Sequence, residues 1–268
     1  MTRDISLGQY YNTGSVIHRL DPRTKLAGTL LFVITLFFPC GWPGLALVGC
    51  FLLAVAKLAR LSLRMIFKGI RPLWFILFFT AAANMLFSKG KILWAAGPFT
   101  ISREGIETAA YLVLRLVFLI AGSSVMTFTT TPKEMADGLE KSLGFLKKIR
   151  VPIHEFAMMM SIAMHFIPIL SEEFERIVRA QKARGADFES GNLIVRGKKL
   201  IPLLIPLFVS AIRRASELAL AMDARCYHGG EGRTKLHPLR YGKRDMAAYG
   251  VLAVYLAALL LLLLRRFQ

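Results

Sequence analysis

Apolar residues along the chain collect into five runs, at 26–38, 42–56, 72–87, 106–128 and 246–264, with basic stretches between them. A helix rises 1.5 Å per residue, so about 20 residues cross a hydrocarbon core of about 30 Å. The last run is the clearest: its nineteen residues carry no charge before Arg265. The first two are short and meet across Pro39-Cys40-Gly41-Trp42-Pro43. They read as two tilted spans or as one re-entrant hairpin, and either way the chain returns to the side it left. Asp21 and Pro22, just ahead of the first run, are the residue types of an N-cap and a first helical position.

Between residues 131 and 245 the pattern turns amphipathic and predicts three helices. The first, over 132–149, opens with Thr131, Pro132 and Glu134, a capping box. Its Met135, Leu139, Leu143 and Leu146 recur at helical spacing, a stripe suited to a membrane surface or another helix. The second, over 153–183, begins apolar and Met-rich, with Met160 and Met164, and continues as a stripe of Phe166, Leu170, Phe174 and Ile177. The third, over 200–224, begins apolar and becomes amphipathic through Arg213, Arg214 and Glu217. The expected organisation is a membrane domain over 1–130 with about four transmembrane segments, a cytoplasmic region over 131–245, and a last transmembrane helix over 246–268 that packs with the membrane domain.

Composition agrees: 55% of the 268 residues are hydrophobic, and the mean hydropathy is +0.50. The net charge of +18 has two readings. Nucleic-acid binding would want aromatic residues clustered among the cations, and the basic stretches are mostly amphipathic helices instead. The other reading is the excess of Lys and Arg in cytoplasmic loops. If the third, fourth and fifth runs each cross once, 29 of the 35 basic residues fall on one side. That rule places the N-terminus inside and the C-terminus outside a cell membrane. Arg115 lies within the fourth run, at a cost of about 2.5–3.5 kcal/mol on insertion scales. It is expected to make a polar contact inside the bundle, to bond a neighbour such as Asn84, or to snorkel. The polar N-terminus carries no apolar stretch directly after Met1, so no cleavable signal peptide is expected.

The predicted second and third helices end alike, on Ala180-Gln-Lys-Ala183-Arg184-Gly185 and Ala221-Met-Asp-Ala224-Arg225-Cys226. Both fit A-x-x-A-R-x, 41 residues apart. A cation at a helix end complements the dipole. Small residues on both sides of each Arg add something else: they leave the guanidinium clear to pair bidentately with carboxylates in a partner's groove. Two copies suggest two similar partners. Catalytic chemistry is not in evidence. There is no G-x-x-x-x-G-K-[ST], His154-Glu155 lacks a second His at zinc-protease spacing, and no Ser/His/Asp set stands out. Cys40, Cys50 and Cys226 form no C-x-x-C pair and read as small apolar fillers.

Taken together, these motifs resemble the T component of energy-coupling-factor (ECF) transporters, the CbiQ/EcfT family. Leu20-Asp21-Pro22-Arg23-Thr24-Lys25-Leu26 is similar to its N-terminal stretch. Ala183-Arg184-Gly185 and Ala224-Arg225-Cys226 are similar to its two X-Arg-X motifs, and Gly229-Gly230-Glu231-Gly232-Arg233-Thr234 follows the second as in many members. The resemblance implies an all-α integral membrane protein of about five transmembrane helices with a cytoplasmic coupling domain of three long amphipathic helices. It implies a scaffold that joins two ABC ATPase subunits, of A and A′ type, to a membrane-embedded substrate-binding S component for a vitamin or metal ion. Arg184 and Arg225 would anchor the ATPases. The faces bearing Met135, Leu139, Leu143, Met160, Met164 and Leu170 would hold the S component. ATP and Mg would bind in the partner subunits, with no cofactor on this chain, no enzyme activity of its own and no nucleic acid. Cys226 departs from the glycine common at its position. The alternative is a conventional ABC permease subunit that lines its own pathway, against which the paired helix ends argue.

Overall fold

A computed structural model describes residues 10–11, 13–38, 41–87, 91–96, 99–144, 152–188, 192–229 and 239–267. Helix α1 (Pro22–Leu36) starts as its sequence predicts: Asp21 is the N-cap, its carboxylate accepts the Arg23 N–H at 2.9 Å, and Pro22 stands at the first position. Helix α2 (Gly41–Leu58) follows. Helix α3 (Leu63–Ile70) leads through a 3-10 turn at Arg71–Leu73 into α4 (Trp74–Phe87). Pro72 lies in that turn, where its missing N–H is least costly. An antiparallel hairpin of β1 (Ile92–Ala96) and β2 (Phe99–Ser102) is the one sheet among the described residues. The apolar pattern did not mark it, because five residues cannot separate helix from strand by periodicity.

Helix α5 (Arg103–Thr129) is the axis of the bundle, in contact with α1, α2, α3 and α4. Ser102 caps it, accepting the Gly105 N–H at 3.0 Å. Its 27 residues make about 40 Å of helix. Phe32, Leu52, Ala56, Ala121, Val125, Tyr255 and Leu259 form the core around it. Close approach is possible because small residues lie under aromatic rings, the usual device where helices pack without a hydrophobic drive. A Cβ on Gly122 would stand 2.3 Å from Cε1 of Phe32.

Helix α6 (Pro132–Ser142) opens with the predicted capping box: the Glu134 N–H donates to Thr131 Oγ1 and the Thr131 N–H to Glu134 Oε2, both at 3.2 Å. The predicted continuation over 145–149, including Leu146, lies outside the described residues. Helix α7 (Ile153–Ala183) has the predicted bounds, whereas α8 (Leu193–Ala224) begins seven residues earlier than expected and runs through Pro202 and Pro206. Helix α9 (Lys243–Phe267) packs on α1 and α2. The chain forms two units. One holds α7 and α8; the other holds α1 to α6, the hairpin and α9.

Five helical stretches are long and apolar enough to cross a membrane: Gly41–Leu58, Arg64–Leu86, Arg103–Thr129, Ile153–Ala183 and Lys243–Arg265. The number agrees with the sequence expectation but the membership differs. At 15 residues, about 22 Å, α1 falls short, while the Met-rich first half of α7 brings that helix in. Helix α1 starts level with Thr129 of α5, where Lys25 Nζ donates to the Thr129 carbonyl at 2.8 Å. It ends at Phe37, whose ring lies 4.9 Å from the Arg115 guanidinium. Trp42, at the start of α2, meets Tyr111 edge-on at 6.0 Å. The α1–α2 hairpin therefore turns beside residues 111–115, well before the start of α5. Arg115 finds a ring and not Asn84, whose amide donates to Thr80 O in its own helix at 2.9 Å.

Gly122→Ala should lower the melting temperature of the detergent-solubilised protein, at a cost of about 1–3 kcal/mol. Adding Phe32→Leu should recover most of the loss.

Candidate functional site

The ends of α7 and α8 have the same hydrogen-bond pattern. At the end of α7, Ala186 N–H donates to Gln181 O at 3.0 Å and Gly185 N–H to Lys182 O at 3.0 Å. At the end of α8, Tyr227 N–H donates to Met222 O at 3.1 Å and Cys226 N–H to Asp223 O at 2.9 Å. Every atom of one set maps to the other by a shift of 41 residues. Both are Schellman motifs, which close a helix through one residue in the left-handed conformation. Those residues are Gly185 at φ +87 and Cys226 at φ +55, and Arg184 and Arg225 immediately precede them. So the small residue after each Arg has a backbone reason that the sequence reading did not supply. Glycine takes that conformation freely, while a side chain is strained there.

All six residues of the two triplets, Ala183, Arg184, Gly185, Ala224, Arg225 and Cys226, are exposed. Neither arginine forms an ion pair among the described residues. The two helices touch where Glu173 Oε2 lies 3.6 Å from Arg214 Nη2, and the same carboxylate lies 3.6 Å from Arg176. Glu173 and Arg214 are themselves 41 residues apart. Each lies eleven residues before its arginine, so Arg184 and Arg225 stand on arms of equal length, about 16 Å, from one contact.

The six-residue pattern occurs a third time, at Ala56-Lys-Leu-Ala59-Arg60-Leu61, which the sequence reading passed over. That helix end also closes with a Schellman motif, Leu61 N–H to Ala56 O at 3.1 Å, but shifted by one residue. Here Arg60 itself takes the left-handed conformation, at φ +54, and Ala59 is 0% exposed. A buried Ala59 removes the open flank that the other two copies have.

Asp21, Pro22 and Arg23 form a second site. Arg23 grips the Asp21 carboxylate with two side-chain hydrogen bonds, at 3.0 and 2.9 Å, and its guanidinium lies 3.9 Å over the Tyr241 ring. The Asp21 N–H donates to Asp245 Oδ1 at 2.8 Å, and Asp245 Oδ2 accepts the Gly242 N–H at 2.8 Å. Lys25, 7% exposed, donates to the carbonyls of His18 and Thr129 at 3.1 and 2.8 Å. Pro22 packs against Gly138 of α6, where an added Cβ would stand 2.9 Å from Pro22 Cβ. One short stretch thus binds the start of α1 to the end of α5, to α6 and to the start of α9. Burial alone would raise the Asp21 pKa, but the hydrogen bonds and charge of Arg23, with the charge of Lys141, more than offset it and hold it below the ordinary carboxylate value.

Of the candidate contact residues, Met135, Leu139 and Leu143 are each 37–41% exposed, and Met160, Met164 and Leu170 are half-buried. Phe156 and Met159 on α7 and Leu204 and Phe208 on α8 are more exposed still. The CbiQ family, described as cobalt transport protein, matches residues 13–236.

The chain belongs to the CbiQ/EcfT family.

Its relatives share nearly its whole length. The energy-coupling factor transporter transmembrane protein EcfT of Thermosediminibacter oceani is 47% identical over 255 residues, 94% of this chain and 96% of the relative. The EcfT protein of Acidaminococcus fermentans is 48% identical over 260 residues, 97% of each. That of Lactococcus lactis is 42% identical over 262 residues, 97% of this chain and 98% of the relative. This chain is therefore a membrane subunit of the ECF transporter family and belongs to no catalytic family. Gly230–Thr234, which follow the second triplet in the resemblance, lie outside the described residues.

Two outcomes follow. Cys226→Gly should firm the end of α8 by up to about 1 kcal/mol, and Gly185→Ala should loosen the end of α7 by about 1 kcal/mol. Amide hydrogen exchange over 181–186 and 222–227 reads both. Separately, a carboxylate whose folded pKa is lowered stabilises fully above its unfolded pKa, about 3.9, and less as pH falls through the folded value. The gap in melting temperature between wild type and Asp21→Asn should stay constant from pH 7 to 5 and close below pH 4.

Proposed function

We propose that this protein is the membrane scaffold through which two ATPase subunits drive a substrate-binding S component for vitamins or other micronutrients. The observation that carries this is the pair of matching helix ends, each presenting an exposed arginine without an ion pair among the described residues, on equal arms from one contact. Two equal, outward-facing cations fit two similar partners better than one. Each guanidinium has the fork geometry for a bidentate carboxylate in a groove. ATP and Mg belong to those partner subunits, which carry the hydrolysis, and this chain holds no cofactor.

The equal arms also suit force transfer. When the partners close or separate, both arms move and the contact at Glu173 and Arg214 is the point about which α7 and α8 swing. The apolar faces with Met135 and Leu139 on α6, Leu143 just after it, and Met160, Met164 and Leu170 on α7 receive the S component. In this reading both arginine ends lie on the cytoplasmic side, with the N-terminus inside and the C-terminus outside, which the crowding of Lys and Arg into those stretches supports.

The test is charge reversal at both ends. Arg184→Glu with Arg225→Glu should abolish ATPase co-purification and substrate uptake while the protein still inserts. Each single variant should retain one ATPase and lose most uptake. Arg60→Glu, at the third copy of the pattern, should leave co-purification unchanged. Full co-purification from the double variant would refute the docking role.

A further inference from the structure

The chain leaves the bundle unit for the unit of α7 and α8 after Ser142 and returns to the bundle at Leu239. A displacement of α7 and α8 can reach the bundle along the chain at those two links, through α6 on the way out and through the segment before α9 on the way back. Three consecutive residues at the start of α1 hold both links. On the way out, Gly138 of α6 lies against Pro22: a Cβ there would stand 2.9 Å from Pro22 Cβ and 3.0 Å from Leu26 Cδ1. On the way back, the Tyr241 ring lies 3.9 Å from the Arg23 guanidinium and meets Tyr249 of α9 edge-on at 6.4 Å. One turn further, Asp245 accepts the Asp21 N–H at 2.8 Å. All of these contacts lie inside the bundle unit.

The Arg23 contact is held in a fixed orientation. Its Nε and Nη2 both donate to the Asp21 carboxylate, at 3.0 and 2.9 Å, a fork that sets the plane of the guanidinium. That leaves the face of the guanidinium for the Tyr241 ring. The Asp21 side chain is 2% exposed and that of Arg23 15%, so this pair belongs to the interior of the bundle. Tyr241, in contrast, is 55% exposed. A side chain that open adds little to the stability of the bundle. Its seating on an oriented cation, two residues after the return of the chain, serves position instead.

We propose that Asp21, Pro22 and Arg23 clamp both links to the α7–α8 unit, with Arg23 and Tyr241 as positioning residues for coupling. Clamped links pass a displacement of α7 and α8 into α6 and α9, whereas loose links absorb it in their own bending. Pro22 serves the outgoing link through Gly138, and Arg23 and Asp21 serve the returning one through Tyr241 and Asp245. This rests on the coupling role proposed above and adds the place where the motion enters the bundle.

Amide hydrogen exchange on the whole transporter complex, purified with its ATPases and compared with and without Mg-ATP and vanadate, tests it. In wild type the nucleotide should change exchange at the helix ends, 181–186 and 222–227, and also over 132–142 and 243–249. Tyr241→Leu should keep the change at the helix ends and lose most of that over 243–249, with ATPase co-purification and melting temperature unchanged. Tyr241→Phe keeps the ring and should keep the change over 243–249. Arg23→Lys keeps the charge but not the fork, and should lose most of it. Gly138→Ala, which forces α6 off Pro22, should lose the change over 132–142; if it fails to fold, the Tyr241 variants still decide. A merely structural Tyr241 would lower the melting temperature and would not separate the helix ends from 243–249. A full change over 243–249 in Tyr241→Leu, or its equal loss in Tyr241→Phe, would overturn the clamp. In wild type, a change at the helix ends alone would overturn the clamp and leave the docking role standing, whereas no change in any of these segments would overturn the docking role and the clamp with it.

Discussion

A lysine can be buried at the end of a helical bundle only if its ammonium finds acceptors there, and Lys25 finds two backbone carbonyls. One belongs to His18, in the segment leading into α1, and the other to Thr129, the last residue of α5. The carbonyls at the end of a helix lack partners within it and carry the negative end of its dipole. Lys25 thus answers the end of α5, while Asp245 answers the start of α1 and caps its own turn. The bond from Lys25 joins residues 104 apart, and that from Asp21 to Asp245 joins residues 224 apart. Together they hold α1, α5 and α9 in register at one level. The depth of the α1–α2 hairpin and the meeting of Phe37 with Arg115 follow from that level.

With the ends held, small residues set the spacing. Gly122 under Phe32 and Gly138 under Pro22 let helices approach where any side chain would clash. The resulting bundle is closely packed near α5 and leaves much of its apolar surface open outside. Phe75, Phe78 and Phe79 on α4, all more than 60% exposed, are of that kind. Such faces suit lipid or membrane partners, and they contrast with the charged, exposed ends of α7 and α8.

Features that depend on neighbours in sequence were readable from the chain. The cap at Asp21-Pro22 and the capping box of Thr131 and Glu134 involve residues within four positions of each other, and both form as read. The bounds of α7 were readable for the same reason. Features that depend on distant residues were not. Nothing near Arg115 marks Phe37 as its neighbour, and nothing near Asp21 marks Asp245. The third helix was read from the start of its apolar stretch, whereas α8 begins at Leu193, in the more basic residues before it, and runs on through Pro202 and Pro206.

The pattern A-x-x-A-R-x marks the division most sharply. By itself the sequence determined that the chain is a helical membrane protein, that its cations crowd into particular stretches, and that two long helices end alike. Hydrophobic runs and local capping chemistry are sufficient for those conclusions, because they act within a few turns of helix. The A-x-x-A-R-x pattern alone did not separate the copies at Arg184 and Arg225 from the third at Arg60; Leu61 is larger than Gly185 or Cys226, but the pattern does not say what that size does to the helix end. Tertiary structure made that distinction. Packing buries Ala59 completely and puts Arg60 itself in the left-handed position, whereas the other two arginines stand one residue earlier, after exposed alanines, on equal arms from Glu173 and Arg214.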